Sequence, residues 1–205
     1  MKLKVCGMKY RENIESVGGL KPDYMGFIFY DRSKRNFEGI IPELPKAIKK
    51  TGVFVNEYIE IVVSLIEEYK LDAIQLHGDE TVEYVQELRS HLKSTAEIIK
   101  VFGIKDDFDF SILATFEDEV DYFLFDTKGK ERGGNGVKFD WSVLKEYPYS
   151  KPFFLSGGIG LDDIKQVKKI KESGLPIYAV DVNSRFESKP GLKNSKEVKS
   201  FKNQL

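Results

Sequence analysis

The sequence predicts a single-domain parallel (β/α)8 barrel of the TIM type, and three observations predict it. Eight short runs rich in β-branched and aromatic residues are spread along the 205 residues. Longer amphipathic segments lie between most of these runs, as parallel pairing requires, because a strand must cross back before its neighbour can begin. No GxGxxG turn follows an early run, which removes the usual mark of the rival doubly wound open sheet. No linker, charge block or low-complexity stretch interrupts the series, so residues 1–205 read as one α/β barrel domain.

The candidate strands, in order, are KLKVC (2–6), YMGFIF (24–29), GVFV (52–55), AIQL (73–76), EIIKVF (97–102), VDYFLFD (120–126), PFFL (152–155) and IYAVDV (177–182). Between the third and fourth, NEYIEIVVSLIEEYKL (56–71) carries apolar residues at helical spacing, with Asn56 as the expected N-cap; LDDIKQVKKIKESG (161–174) repeats the pattern with Asp162 in that place. In such a barrel the chemistry sits where strands end and βα loops begin. Polar and glycine residues crowd those ends here.

Strand 1 ends at Cys6-Gly7. Alternation sends Leu3 and Val5 one way and Lys2, Lys4 and Cys6 the other, so a thiol shares a face with a lysine. A free cysteine ordinarily packs as a small hydrophobe. A neighbouring ammonium instead lowers a thiol's pKa, which suits a base or nucleophile. Lys4 itself is read as an ion-pair partner inside the barrel. In FYDRSKR (29–35), Arg35 is either part of a solvated basic turn or a fork for a carboxylate. His77, in QLHGDE, is a structural histidine unless a ligand claims it. His91 falls in a predicted helix and faces solvent.

Asp126 ends strand 6, either capping the next turn or standing across the barrel mouth from Cys6 as a general acid; the glycine-hinged KGKERGGNG (128–136) that follows suits a lid or a plain surface loop. SGGI (156–159) ends strand 7. Gly157 and Gly158 make either a tight turn or a phosphate cradle, with Asp181, Asn183 and Ser184 at the end of strand 8 as the opposite wall.

Composition bounds the partners. With 32 basic and 33 acidic residues well mixed, nothing steers the chain toward nucleic acid or an anionic membrane. No apolar run reaches the roughly 18 to 20 residues of a membrane span, and no secretory leader pattern is present, so a cytoplasmic location is expected. The single cysteine excludes an intrachain disulfide, and no cluster has metal-ligand spacing. A monomer or homodimer acting on a small molecule is the expected state.

KVCGMK, MGFIFYDRSKR, GVFVN, IQLHGDE, FLFDTKGKERGGNGVKFDW, LSGGI and DVNSRFESKPGLKN, in that order and over nearly the whole chain, closely resemble the phosphoribosylanthranilate isomerase family. The resemblance implies a cofactor-free, metal-free Amadori rearrangement of N-(5-phosphoribosyl)anthranilate in tryptophan biosynthesis. It places Cys6 as the general base at the sugar C2 and Asp126 as the general acid at the ring oxygen. Arg35 matches the holder of the anthranilate carboxylate, and His77 and Asp181 match residues lining the substrate pocket. Gly157, Gly158, Asn183 and Ser184 match the phosphate site. The chain departs from the family in reading Asn183-Ser184-Arg185 where SSG is common, so Arg185 either contacts phosphate or projects outward. Asp31 and Lys34 replace common prolines, and Asn194 stands for an acidic residue at the last helix, still as an N-cap. An aminoaldose isomerase of histidine synthesis and a non-catalytic phosphosugar-binding barrel are the alternatives, which turnover of phosphoribosylanthranilate distinguishes.

Overall fold

The computed structural model describes residues 1–93, 95–105, 107–127 and 140–205, so the candidate lid at 128–136 lies outside the described residues. Strands β1 (Lys2–Val5), β2 (Tyr24–Ile28), β3 (Lys49–Phe54), β4 (Ala73–Leu76), β5 (Glu97–Ile104), β6 (Tyr122–Thr127), β7 (Phe153–Leu155) and β8 (Ile177–Val182) pair in sequence order, all parallel, and β8 closes on β1. Outside the barrel run α1 (Arg11–Gly18), α2 (Ile59–Tyr69), α3 (Val82–His91), α4 (Ile164–Glu172) and α5 (Ser195–Lys202). A short antiparallel hairpin, β9 (Glu187–Lys189) and β10 (Leu192–Lys193), precedes α5.

The barrel is filled in layers. Tyr24, Ala73, Ile99, Leu124, Phe154 and Ala179 form a buried apolar cluster inside the strands. A second, larger cluster joins the outward strand faces to the helices, with Leu3, Val5, Ile14 and Phe27 among its fully buried members. The expected alternation along strand 1 is therefore observed. Register places Lys4 of β1 opposite Asp181 of β8 at the closure.

At the opposite end a sequence device recurs. Asp23, Asp72 and Asp121 each stand immediately before an even-numbered strand and accept the N–H of Leu3, Lys50 and Ile98 at 2.9, 2.8 and 2.7 Å. Their own N–H groups donate to the carbonyls of the same three residues at 2.9, 2.8 and 2.9 Å. One carboxylate thus satisfies a strand-opening donor that the ladder leaves unpaired.

Several boundaries differ from expectation. β3 opens at Lys49 and β5 continues to Ile104. Asn56 is not an N-cap: it adopts φ 50°, its Oδ1 accepts from Asp79 N–H at 2.6 Å, and α2 begins later, after Tyr58. Its side chain bridges two loops instead. Asp162 lies within a 3₁₀ turn (Leu161–Asp163), and the carboxylate that reaches back is Asp163, accepting from Gly160 N–H at 2.8 Å. Asn194 does cap α5, accepting from Lys196 N–H at 3.2 Å. No helix joins β2 to β3, where Pro42 and Pro45 withhold donors and hold their predecessors extended. Segments Phe110–Phe116 and Trp141–Glu146 are 3₁₀ rather than α.

Asp121 tests the recurring device, since it also pairs with Arg89 at 2.8 Å. Asp121→Ala is expected to cost about 1–3 kcal/mol in urea unfolding by orphaning the Ile98 N–H. Asp121→Asn, which keeps an acceptor, should recover much of that loss.

Candidate active site

A cavity of roughly 780 Å³, counted to its solvent-open mouth, lies at the C-terminal strand ends. Its walls include Cys6 after β1, Arg35 after β2, His77 after β4 and Asp126 near the end of β6. Gly157 and Gly158 follow β7, while Asp181, Asn183 and Ser184 come from the end of β8 and beyond. Every residue singled out for the site in the sequence is therefore brought to one place.

Cys6 lies just past β1, yet its N–H still donates to Val182 O at 2.9 Å, so the strand's direction carries the side chain inward. Gly26 of β2 makes room for it, since a Cβ there would lie 2.7 Å from Cys6 Sγ and 3.1 Å from its Cα. Lys4, fully buried below, donates to Asp181 Oδ2 at 2.9 Å. Burial alone would discharge Lys4, but attraction from Asp181 and Cys6 outweighs it and raises the pKa. The thiol is another matter. Burial pushes Cys6 above the ordinary thiol range even though Lys4 pulls it down. The sequence expectation that Lys4 lowers the thiol's pKa is therefore corrected: its charge acts in the expected direction, but closing the barrel removes more solvation than one ammonium returns.

Asp181 is likewise raised by burial, against Lys4. Its second oxygen, Oδ1, is buried without a hydrogen-bond partner among the described residues, while Asp181 lines the cavity. An acceptor in that position suits a ligand hydroxyl.

Burial also pushes the Asp126 carboxyl up to about 6, against the hydrogen bond from Thr127 N–H (2.8 Å to Oδ1) that favours the charged form. His77 Nε2 lies 3.5 Å from Asp126 Oδ2. On its other side Gln75 Nε2 stands 3.1 Å from Nδ1; with the amide donating there, the ring proton sits on Nε2 and faces the carboxylate. Gly157 closes this wall with φ +96°, and a Cβ on it would press into Thr127 and lie 3.3 Å from Asp126 Oδ1. Only a bare backbone fits.

Arg35 is not a solvated loop cation. Its Nε and Nη2 donate to the Glu187 carboxylate at 3.0 and 2.7 Å. Asn183 accepts from Lys193 Nζ at 2.7 Å. Arg185 is exposed at the rim, lining the cavity, with Nε 3.3 Å from where a Cβ on Gly160 would stand. Sequence reasoning missed Gln75, Glu187 and Lys193. For the last two a signal existed: Pro190-Gly191 is a turn dipeptide, and Gly191 takes φ +84° at the tip of the β9–β10 hairpin. Among the described residues, no group of three or more His, Cys, Asp or Glu side chains is disposed to hold a metal ion.

Comparison with known proteins adds a family. The family model for N-(5'phosphoribosyl)anthranilate (PRA) isomerase matches residues 3–204. An N-(5'-phosphoribosyl)anthranilate isomerase of Parabacteroides distasonis is 41% identical over 212 residues, covering 100% of this chain and 93% of that protein. Among solved structures, the phosphoribosyl anthranilate isomerase of Thermotoga maritima superposes with a TM-score of 0.83 at 29% identity, covering 100% of this chain and 98% of that one. Another such isomerase, solved with reduced 1-(o-carboxyphenylamino)-1-deoxyribulose 5-phosphate, gives a TM-score of 0.79 at 28% identity, covering 98% and 96%.

Because Cys6 is the chain's one cysteine, the mass of the alkylated protein reports on it alone. Iodoacetamide modification is expected to be slow at neutral pH, with a rate still climbing beyond about 8.5, the ordinary thiol value. A rate that levels off below about 8 would mean that Lys4 prevails over burial.

Proposed function

The chain belongs to the N-(5'phosphoribosyl)anthranilate (PRA) isomerase family, and from that premise we propose how its cavity divides the work. As a member of that family it catalyses the Amadori rearrangement of N-(5-phosphoribosyl)anthranilate to 1-(2-carboxyphenylamino)-1-deoxyribulose 5-phosphate in tryptophan biosynthesis. The reaction is an intramolecular aldose to ketose isomerisation.

Asp126 is the general acid and Cys6 the general base. Asp126 gives its proton to the ribose ring oxygen as the bond from that oxygen to C1 breaks, and the anilino nitrogen supplies the electrons that form C1=N⁺. The Cys6 thiolate then removes the C2 proton; the C2–H electron pair forms C1=C2, and the iminium electrons return to nitrogen. The resulting enol loses its hydroxyl proton while C1 gains one, leaving the ketone. The observation that carries this reading is that Cys6 and Asp126 reach one cavity from β1 and β6, which are three strands apart around the closed barrel. Arg35 holds the ring carboxylate, Asp181 Oδ1 accepts a sugar hydroxyl, and His77 orients Asp126. The phosphate lies against the bare backbone of Gly157 and Gly158, with Asn183 and Ser184 on the β8 side.

The same reading takes residues 1–205 as one domain whose partner is the phosphosugar–anthranilate substrate, acting without metal or cofactor, as a monomer or homodimer in the cytoplasm. Its near-neutral charge of −1 supports independence from nucleic acid. Among the described residues no helix is long and apolar enough to cross a membrane.

A fluorescence assay following loss of phosphoribosylanthranilate tests the base. Cys6→Ala is expected to lower kcat by about 10² to 10⁴ with KM little changed, whereas near-normal turnover would demote the thiol to packing.

The pH profile tests the acid. Asp126 titrates near 6, below Cys6, so over the range between them both groups are mostly in the wrong state: carboxylate and thiol. The reactive form, protonated Asp126 with Cys6 thiolate, grows with pH up to about 6, holds level, and declines only past the thiol's own raised pKa. Accordingly kcat/KM should rise through about 6, plateau, and fall in the alkaline range. Residual activity in Asp126→Asn should instead keep climbing with pH past about 6 and level off only at the thiol's own raised pKa; a profile that still levels off near 6 assigns that titration to another group.

A further inference from the structure

Arg35 is built into a larger cluster. Its Nε lies 3.0 Å from both Glu187 oxygens and its Nη2 lies 2.7 Å from Oε2, with the two side chains 14% and 4% exposed. Glu187 opens the β9–β10 hairpin, and its Oε1 also accepts from Gly191 N–H at 3.0 Å and from Lys193 Nζ. Lys193, whose side chain is fully buried, donates in turn to Asn183 Oδ1 at 2.7 Å. Its backbone is pinned to α1 by Asn13, whose amide donates to Lys193 O at 2.8 Å and accepts from Lys193 N–H at 2.7 Å. Both Glu187 oxygens are thus occupied, and the carboxylate is fixed from the hairpin and from β8 at once.

We propose that Glu187 is a positioning residue for the substrate's ring carboxylate, acting through Arg35: anchored by Lys193 and Gly191, it holds one edge of the guanidinium so that the remaining N–H donors face the cavity. This rests on the assignment of Arg35 made above. An unanchored arginine has many rotamers to lose when a ligand arrives, and a fork already seated on one carboxylate has fewer. Charge favours the arrangement as well. Arg35 and Glu187 alone would be a neutral pair, whereas Lys193 leaves the cluster with one net positive charge to offer a second carboxylate. Burial would raise the Glu187 pKa, but the hydrogen bonds and charges of Arg35 and Lys193 outweigh it and keep the group ionised. The alternative role is that of a plain staple for the hairpin. Such a staple has no reason to distinguish ligands by their ring carboxylate.

The test uses the full chain and two probes: the reaction product, and its analogue 1-phenylamino-1-deoxyribulose 5-phosphate, which lacks the ring carboxylate. Glu187→Gln is expected to weaken product binding about tenfold or more and to raise KM while kcat stays within about threefold, since carboxylate binding is shared by ground and transition states. Binding of the analogue should change by less than about threefold. Glu187→Asp should recover part of the loss, and Arg35→Ala/Glu187→Gln should bind product no worse than Arg35→Ala alone. If Glu187→Gln weakens both probes equally, or neither, the positioning role is overturned while Arg35 keeps its assignment. If Arg35→Ala leaves product binding unchanged, the assignment of Arg35 itself fails. Should Glu187→Gln not fold, Glu187→Asp carries the test: a smaller, carboxylate-specific loss supports the role, and no loss or an equal loss for both probes removes it.

Discussion

The site depends on one buried contact, the ion pair between Lys4 and Asp181, 2.9 Å apart and with side chains 0% and 5% exposed. Such a pair returns little net stability, because stripping water from both charges offsets most of their attraction. What it supplies is register. Lys4 and Asp181 face each other where β1 and β8 close the barrel. A slip of one residue along either strand would turn every side chain to the opposite face and strand a charge in an apolar layer. With that register fixed, Cys6 follows two residues after Lys4 on the same inner face, and Asp181, which lines the cavity, keeps one buried oxygen with no partner among the described residues. The closure of the fold and the placement of Cys6 are one structural fact.

The same exclusion of water that makes this pair costly sets the chemistry above it. Burial is the largest influence on both Cys6 and Asp126, and it pushes both upward. For a carboxylic acid this keeps a proton available near neutral pH. For a thiol it means a smaller fraction of thiolate but a more basic one, better matched to a carbon-bound proton. Lys4 tempers the second shift without reversing it. The order of the two pKa values, Asp126 below Cys6, is a consequence of taking two groups of different intrinsic acidity into one dry enclosure.

Much of this was legible in the sequence because it rests on local pattern. Period-two alternation gave the inner face of β1, and β-branched runs ending in Cys6, His77, Asp126 and Asp181 pointed to one barrel mouth. Contacts made across the closed chain were not legible. Arg35 and Glu187 are 152 positions apart and Asn13 and Lys193 are 180, so neither partnership shows in spacing. Asn56 looked like an N-cap because local pattern suggests one, yet a loop contact with Asp79 claimed its side chain. The sign of the Cys6 shift was misjudged for the same reason. Lys4 is a sequence neighbour and visible, whereas burial exists only once the strands have closed.

This contrast also explains where the chain departs from its family without losing the site. The proposed phosphate cradle is made of backbone at Gly157 and Gly158, both at positive φ, and at Gly157 close packing against Thr127 and Asp126 also excludes a side chain. A ligand held by backbone makes few demands on the identity of residues facing it across the cavity. Arg185 can therefore stand at the rim, passing beside Gly160 rather than displacing anything. Asn183 is less free, because its Oδ1 is the acceptor that Lys193 uses on the β8 side. A residue there must offer oxygen to a buried ammonium, and asparagine does. Loop residues 183–185 thus divide by what touches them: Asn183 is tied into the charged cluster around Arg35, and Arg185 stands exposed at the rim beside Gly160.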